Sequence, residues 1–159
     1  MTIQIKEGDI APDLKLESSE GSEVSLNTFQ NKNLVLFFYP KDATPGCTIE
    51  ANEFNTLLNH FHNLDCIVLG ISRDNIQSHK KFVTKQCLNF NLLSDINGET
   101  CLNYGVLVEK SMFGKSYNSI RRSTFLIDQN KIISKIWINV NPLGHASKVL
   151  QALNLSNRF

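Results

Sequence analysis

The apolar positions of this chain fall into two repeating patterns, and their order outlines the fold. Leu34-Val-Leu-Phe-Phe-Tyr39 is apolar at every position, the mark of a strand buried on both faces. Phe54, Leu57, Leu58 and Phe61 follow at i, i+3, i+4 and i+7, one stripe of a helix that the spacing predicts from Cys47 to Phe61. Cys66-Ile-Val-Leu-Gly-Ile-Ser72 is a second buried strand, close enough behind that helix to make a parallel βαβ unit. A helix of about three turns is predicted from near Asn75, with Asp74 as its N-cap. Asn97-Gly98 opens a short helix that Gly105 closes. Leu14–Leu16 and Glu23–Leu26 read as a hairpin around Glu20-Gly21-Ser22, and Ser123–Asp128 and Ile132–Ile138 as another around Gln129-Asn-Lys131. Ala146, Val149, Leu150 and Leu153 space out a last amphipathic helix. Glu109 to Arg122 has no periodicity and reads as a long loop.

A βαβ unit, a connecting helix, an antiparallel hairpin and a terminal helix are the order of an α/β, thioredoxin-like fold. Here it carries an N-terminal β-hairpin extension, with a central mixed sheet flanked by helices. A chain of 159 residues reads as one domain, 1–159, and 42% apolar residues suffice for a core. The net charge of +1 gives no electrostatic case for nucleic acid or a membrane surface. The longest apolar run, Leu34–Tyr39, is far too short to span a bilayer. Met1-Thr-Ile-Gln-Ile-Lys-Glu-Gly8 lacks the apolar centre of a secretory signal. The four cysteines show no short regular spacing, so reduced thiols in a cytoplasmic setting are expected. His60 and His62 point apart on a helix, no cysteine pair has zinc spacing, and no glycine-rich phosphate loop is present. No metal and no cofactor is therefore expected.

The candidate chemistry centres on Cys47. It follows the buried strand and a Thr44-Pro45-Gly46 turn, and stands where the next helix begins. Free amides and the positive end of the helix dipole meet there, and both favour thiolate over thiol. A buried structural cysteine is the competing reading, but strand-to-helix junctions are where α/β folds place their ligand crevices. Glu50 lies three residues after Cys47 and four before Phe54, on the inward stripe of the helix. An inward carboxylate needs a partner, and Arg122 or Arg121 can supply it. On a strand the two arginines point oppositely, so only one of the pair is favoured.

Tyr39-Pro40-Lys-Asp-Ala-Thr44-Pro45-Gly46-Cys47-Thr48 resembles the active-site segment of the peroxiredoxins (AhpC/TSA type), whose pattern is Pro, three residues, Thr, two residues, Cys. Leu92-Leu-Ser-Asp95, Gly105-Val106, Glu109–Lys115, Arg122–Asp128 and Gly144-His-Ala146 are similar to one branch, the bacterioferritin comigratory protein (peroxiredoxin Q) group, in the same order from about Gly8 to Leu153. The resemblance implies a thiol-dependent peroxidase. The Cys47 thiolate attacks a peroxide oxygen, water or an alcohol leaves, and a sulfenic acid remains. Thr44 and Arg122 match the family threonine and arginine, Pro40 the proline that ends the strand and shields the sulfur, and Gly46 contributes its amide; Glu50 stands where the family has Glu or Gln. Hydrogen peroxide or an organic hydroperoxide is the implied substrate. An external thiol (thioredoxin, glutaredoxin or glutathione) is the implied reductant, and a monomer the implied assembly.

The chain departs from the group at one position. Many members carry a resolving cysteine five residues after the nucleophile, and here that residue is Asn52. The expectation is therefore a one-cysteine enzyme. The alternative is a two-cysteine enzyme with Cys87 as resolver, since some relatives carry theirs in that helix. Cys87 shares a face with Ile76 and Val83, which also permits a packing role. Cys101 is a weaker candidate, and Cys66 begins an apolar strand. Two other readings are a thioredoxin-like thiol–disulfide oxidoreductase and a non-catalytic holdase. Cys47-Thr-Ile-Glu50 lacks the second cysteine that the former uses.

Overall fold

The computed structural model describes residues 4–157, and the all-apolar run at 34–39 lies at its centre. In chain order the elements are a hairpin, β1 (Lys15–Ser18) and β2 (Glu23–Ser25), then a 3-10 turn at Leu26–Phe29; β3 (Asn33–Phe38); α1 (Pro45–Thr56) and α2 (Leu58–Asn63); β4 (Cys66–Ser72); α3 (Ile76–Gln86); β5 (Leu92–Ser94); α4 (Glu99–Asn103); a second hairpin, β6 (Leu107–Met112) and β7 (Lys115–Ile120); β8 (Ser123–Ile127) and β9 (Ile133–Ile138); and α5 (His145–Ser156). Seven strands form one sheet in the order β2-β1-β5-β4-β3-β8-β9. β3, β4 and β5 are parallel, and β8 and β9 are antiparallel beside β3. This is the mixed sheet of a thioredoxin-like fold, with the N-terminal hairpin on one edge.

Because successive strand residues face opposite ways, β3 feeds two cores. Val35, Phe37 and Tyr39 pack with Phe54, Phe61, Phe82 and Val149 on the face covered by α1, α2, α3 and α5. Phe37 stacks on Phe54 with ring centroids 4.7 Å apart. Leu34, Leu36 and Phe38 face the other way, onto Tyr104, Val106 and Phe125. Cys47 belongs to the first core, which puts its sulfur under the helical layer.

Four sequence expectations need correction. Residues 109–122 are not a long loop. β6 and β7 pair from Leu107↔Ile120 to Met112↔Lys115, closed by Phe113 and Gly114, both at positive φ (53° and 76°), the conformation of a tight two-residue hairpin turn. Most of its side chains are exposed on both faces, so no apolar alternation marks it. The helix predicted through Phe61 breaks at Leu57 (φ −95°, ψ 4°). Thr56 Oγ1 donates to Asn52 O at 2.9 Å, a back-bond that competes with the helical ladder. The cap of α3 is Asn75, whose Oδ1 accepts from Ser78 N at 2.9 Å, not Asp74. Finally, Cys87 is not on the packed face of α3. It lies one residue past the helix in the left-handed region (φ 54°) and is exposed.

Gly70 shows how tightly the sheet face is packed. A Cβ there would lie 2.8 Å from both Leu92 Cδ2 and Phe37 Cζ, two side chains at 0% exposure with no room to retreat. Gly70→Ala is expected to destabilise the fold by about 1–3 kcal/mol. In urea the unfolding midpoint should fall at constant slope, and an unmoved midpoint would show that Phe37 and Leu92 can give way.

Candidate active site

The chain leaves β3 and reaches α1 through residues 40–44. Thr44 is extended at the N-cap position (φ −78°, ψ 154°) and Pro45 occupies the first turn, where its missing N–H is no loss. The helical ladder starts with Thr48 N donating to Thr44 O at 2.9 Å. The Gly46 and Cys47 amides, one turn earlier, have no intrahelical acceptor. Cys47, at 1% exposure, therefore sits at the positive end of α1. Thr44 does not use its hydroxyl as a cap; Oγ1 donates to Lys41 O at 2.8 Å, which leaves its lone pairs free to accept.

Arg122 comes from the junction of β7 and β8 and reaches both acids of the site. Its Nη2 is 3.3 Å from Cys47 Sγ, and its Nη1 donates to Glu50 Oε1 at 2.9 Å. Burial works against the guanidinium charge, but Cys47 and Glu50 outweigh it and hold Arg122 above its ordinary value. Glu50 is at 0% exposure, and its Oε2 has no partner. Burial pushes its carboxyl up to about 7 against the pull of Arg122, with Glu53 adding a smaller rise. Gly46 makes room for the cation: a Cβ there would lie 3.1 Å from Arg122 Nη2 and 3.3 Å from Pro142 Cγ. Arg121 has no hydrogen bond to Cys47 or Glu50 among the described residues and lines a neighbouring hollow with Tyr104, Phe125 and Ile136. Pro40 is exposed and, with Val108, Ile120, Val140 and Arg122, walls a cleft of about 550 Å³.

Around this centre the helices are tied down. Both Glu53 carboxylate oxygens accept from Gly144 N, at 2.9 and 3.3 Å, joining α1 to the turn before α5. His145 Nε2 meets Thr124 Oγ1 at 2.8 Å. Burial, Lys148 and Arg122 lower its pKa to about 4, so it stays neutral at pH 7 and leaves Arg122 as the cation on the sulfur. Asn52 Nδ2 donates to Gln86 Oε1 at 3.0 Å, and Asn55 Nδ2 to Cys87 O at 3.1 Å. Cys87 is thus placed along the later turns of α1, not at the sulfur of Cys47. Cys66 and Cys101 are fully buried; burial pushes the Cys66 thiol up to about 12 and the Cys101 thiol higher still. All four cysteines are free thiols.

Sequence reasoning missed one group beside the site. Tyr39, Asp42 and His79 form a buried network, with Asp42 in the loop that leads to Cys47. The available signal was the spacing of His79, three residues after Ile76 and three before Phe82, which puts it on the inward face of α3. Asp42, Asp74 and His79 bring ligand-type atoms within 4.8 Å of one another. However, both Asp42 oxygens and both His79 nitrogens are already hydrogen-bonded, which makes the trio a bonded network rather than a metal centre.

Comparison with known proteins places this geometry in a family. A family model described as the AhpC/TSA family matches residues 8–136. Peroxiredoxin Bcp of Bacillus subtilis is 42% identical over 153 residues, 96% of each chain, and a putative peroxiredoxin bcp of Helicobacter pylori is 42% identical over 150 residues, 94% of this chain and 99% of the relative. Among solved structures, a Xylella fastidiosa PrxQ superposes with a TM-score of 0.91 at 38% identity, covering 98% of this chain and 99% of that one. The Xanthomonas campestris bacterioferritin comigratory protein, described for its alkyl peroxide reduction activity, gives 0.86 at 40% identity over 90% and 91%. A guanidinium shared between a helix-terminal cysteine and a buried glutamate, on this fold and at these identities, leads to one assignment: the chain belongs to the AhpC/TSA family, within its Bcp (peroxiredoxin Q) peroxiredoxins, and is a thiol peroxidase.

Proposed function

We propose that Cys47 is the peroxide-attacking residue and that the enzyme reduces hydrogen peroxide and alkyl hydroperoxides by a one-cysteine cycle. The observation that carries this reading is the 3.3 Å approach of Arg122 Nη2 to Cys47 Sγ. In the first step sulfur forms a bond to the outer peroxide oxygen and the O–O bond breaks. The sulfur is oxidised and the peroxide reduced; the leaving oxygen departs as hydroxide or alkoxide and takes up a proton. Negative charge moves from sulfur onto oxygen along this path, and fixed donors aimed at that path lower the barrier. Arg122 and the free amides of Gly46 and Cys47 supply them, and Thr44 Oγ1, whose proton goes to Lys41 O, is placed to accept from the peroxide. Pro40 on the rim limits water access. Val108, Ile120 and Val140 form an apolar strip among the charged residues Glu109, Lys110, Arg121 and Arg122 of the cleft, a place for an alkyl tail, in keeping with the activity described for the Xanthomonas campestris relative.

For turnover, an external thiol attacks the Cys47 sulfenic acid, water leaves, and a second thiol releases Cys47 as a mixed disulfide is exchanged. Asn52 supports this route, because the helix position that would hold a resolving thiol holds an amide bonded to Gln86. The exposure of Cys87 at the end of α3 favours the second reading, in which α1 opens and Cys87 bonds to Cys47.

Oxidation with one equivalent of hydrogen peroxide, followed by intact mass and peptide mapping, separates the two. The expected product is a trappable sulfenic acid on Cys47, and a Cys47–Cys87 disulfide would establish the two-cysteine cycle. Cys47→Ser should abolish peroxide consumption with any thiol donor. Arg122→Met should slow oxidation of Cys47 by about 10²–10³-fold, the loss typical of one transition-state donor; an unchanged rate would remove Arg122 from the chemistry.

Glu50 adds a pH-dependent consequence. Its carboxyl, ordinarily near 4.5, is raised to about 7 in the fold. The folded state therefore binds this proton more tightly than the unfolded chain does. The associated stability is fully present below the unfolded value and is lost as pH rises through the folded one. Measured in a Cys47→Ser background, which leaves Glu50 as the acid facing Arg122, the unfolding free energy should fall between about pH 5 and about pH 8 by roughly 3 kcal/mol. Glu50→Gln should flatten that fall; an equal slope in the variant would assign it to another group.

A further inference from the structure

Asp42 is a carboxylate in the loop before the catalytic helix, yet it is only 6% exposed, and its bonds tie the loop to the end of β3, to α3 and to the segment between β4 and α3. Tyr39 Oη donates to its Oδ1 at 2.6 Å. Ser78 Oγ donates to Oδ2 at 2.8 Å, and His79 Nδ1 lies 2.7 Å from the same oxygen. The other ring nitrogen of His79, Nε2, is 3.0 Å from Leu93 O on β5. The Asp42 amide donates to Asp74 Oδ2 at 2.8 Å, and Ser72 Oγ to that same oxygen at 2.6 Å. Burial first, and Asp42 second, push the Tyr39 phenol well above its ordinary value, so it remains a donor.

His79 is at 0% exposure and makes no hydrogen bond to Cys47, Arg122 or Glu50 among the described residues. Its place is between a sheet carbonyl and the loop carboxylate. Only Ala43-Thr44-Pro45-Gly46 separates Asp42 from Cys47. Ala43, next to Asp42, is at positive φ (63°), a conformation that non-glycine residues hold only when their surroundings impose it. A loop held in that shape needs an anchor on its inner side, and the bonds to Asp42 supply one.

We propose that His79 is a positioning residue for peroxide reduction: braced against Leu93 O, it holds Asp42 and so sets the loop that presents Cys47 to Arg122 and the first-turn amides. The inference rests on the peroxidase reading of Cys47. Displacing a reacting group by about an ångström can cost on the order of a hundredfold in rate, so a second anchor away from the sulfur has a direct kinetic consequence.

The two faces of the ring can be tested separately. His79→Asn keeps an amide near the Nδ1 position, toward Asp42, and gives up the brace to Leu93 O. His79→Gln reaches toward Leu93 O and gives up Asp42. Both replace a buried imidazole with a neutral amide, so a purely structural role predicts similar losses. The positioning role predicts that His79→Gln slows oxidation of Cys47 by hydrogen peroxide at least about tenfold and raises the labelling rate of reduced Cys47 by a bulky maleimide. His79→Asn, which keeps the Asp42 side and loses only the brace, should show a clearly smaller change in both. Equal oxidation rates in the two variants would overturn the proposal. Tyr39→Phe removes one bond from Asp42 with little change of shape and covers the case in which His79→Gln does not fold; it should show the same paired change at smaller amplitude, and parent-like rates would overturn the proposal as well. The parent enzyme is measured alongside: if it consumes no peroxide the peroxidase reading fails, whereas an active parent with unaffected variants refutes only the role of His79.

Discussion

One guanidinium shared by two acids is the constraint on which the rest of the structure depends. Cys47 and Glu50 are both buried at the start of α1, and Arg122 contacts the two at 3.3 and 2.9 Å. A buried carboxylate with no cation would be strongly unfavourable, and a buried thiolate would be no better off. Arg122 therefore compensates both acids, and on the proposed mechanism the same contact serves the chemistry. The free Glu50 Oε2 marks the limit of that compensation: one cation cannot fully satisfy both acids, which is why burial still dominates the carboxyl. Gly46 follows from the same arrangement, since a side chain there would press on the guanidinium from the helix side.

The sheet explains why residues 75 apart in sequence meet. β3 and β8 are antiparallel, with Phe38 at the end of one paired to Ser123 at the start of the other. The chain leaving β3 and the chain arriving at β8 therefore share one end of the sheet. The first goes on to Cys47; the second has just passed Arg122. The parallel step from β3 to β4 sends α1 and α2 back across one face, so the first turn of α1 lies at that same end. The register thus brings sulfur and guanidinium to the same end of the sheet.

This arrangement sets what could be read from residues alone. The strand at 34–39, the helix start at Cys47 and the inward turn of Glu50 follow from local apolar runs and periods, whereas the choice of Arg122 over Arg121 comes from its match to the family arginine; it is Arg122 that meets Cys47 and Glu50. The β6–β7 hairpin was invisible because it is held by main-chain bonds and exposes both faces, so no hydrophobic alternation was written into it. The break at Leu57 and the left-handed turn at Cys87 are decided by backbone and side-chain bonds at helix ends that periodicity does not carry. His79 betrayed its burial by spacing, but its partners Asp42 and Leu93 lie on other elements, and only the sheet order defines them.

The same ties bear on how an oxidised Cys47 is recycled. At 1% exposure the sulfur is beyond reach of a bulky thiol unless the first turn of α1 opens and releases Arg122. Opening is not equally free along the helix. Asn52, Glu53 and Asn55 bond it to Gln86, Gly144 and the Cys87 carbonyl, so the second half of α1 is pinned to α3 and to the start of α5. Asp42 anchors the loop on the other side. What remains between the two anchors is the stretch from Ala43 to Ala51, which Arg122 ties to the rest of the fold through Glu50 and Cys47. Cys87 lies beside the pinned half, so bringing the two sulfurs together would also require breaking the asparagine bonds that hold α3. A small outside thiol needs only the first opening. On the proposed one-cysteine cycle, reduction from solution therefore asks less of the fold than an internal disulfide would, and Asn52, bonded to Gln86, is one of the pins that make the difference.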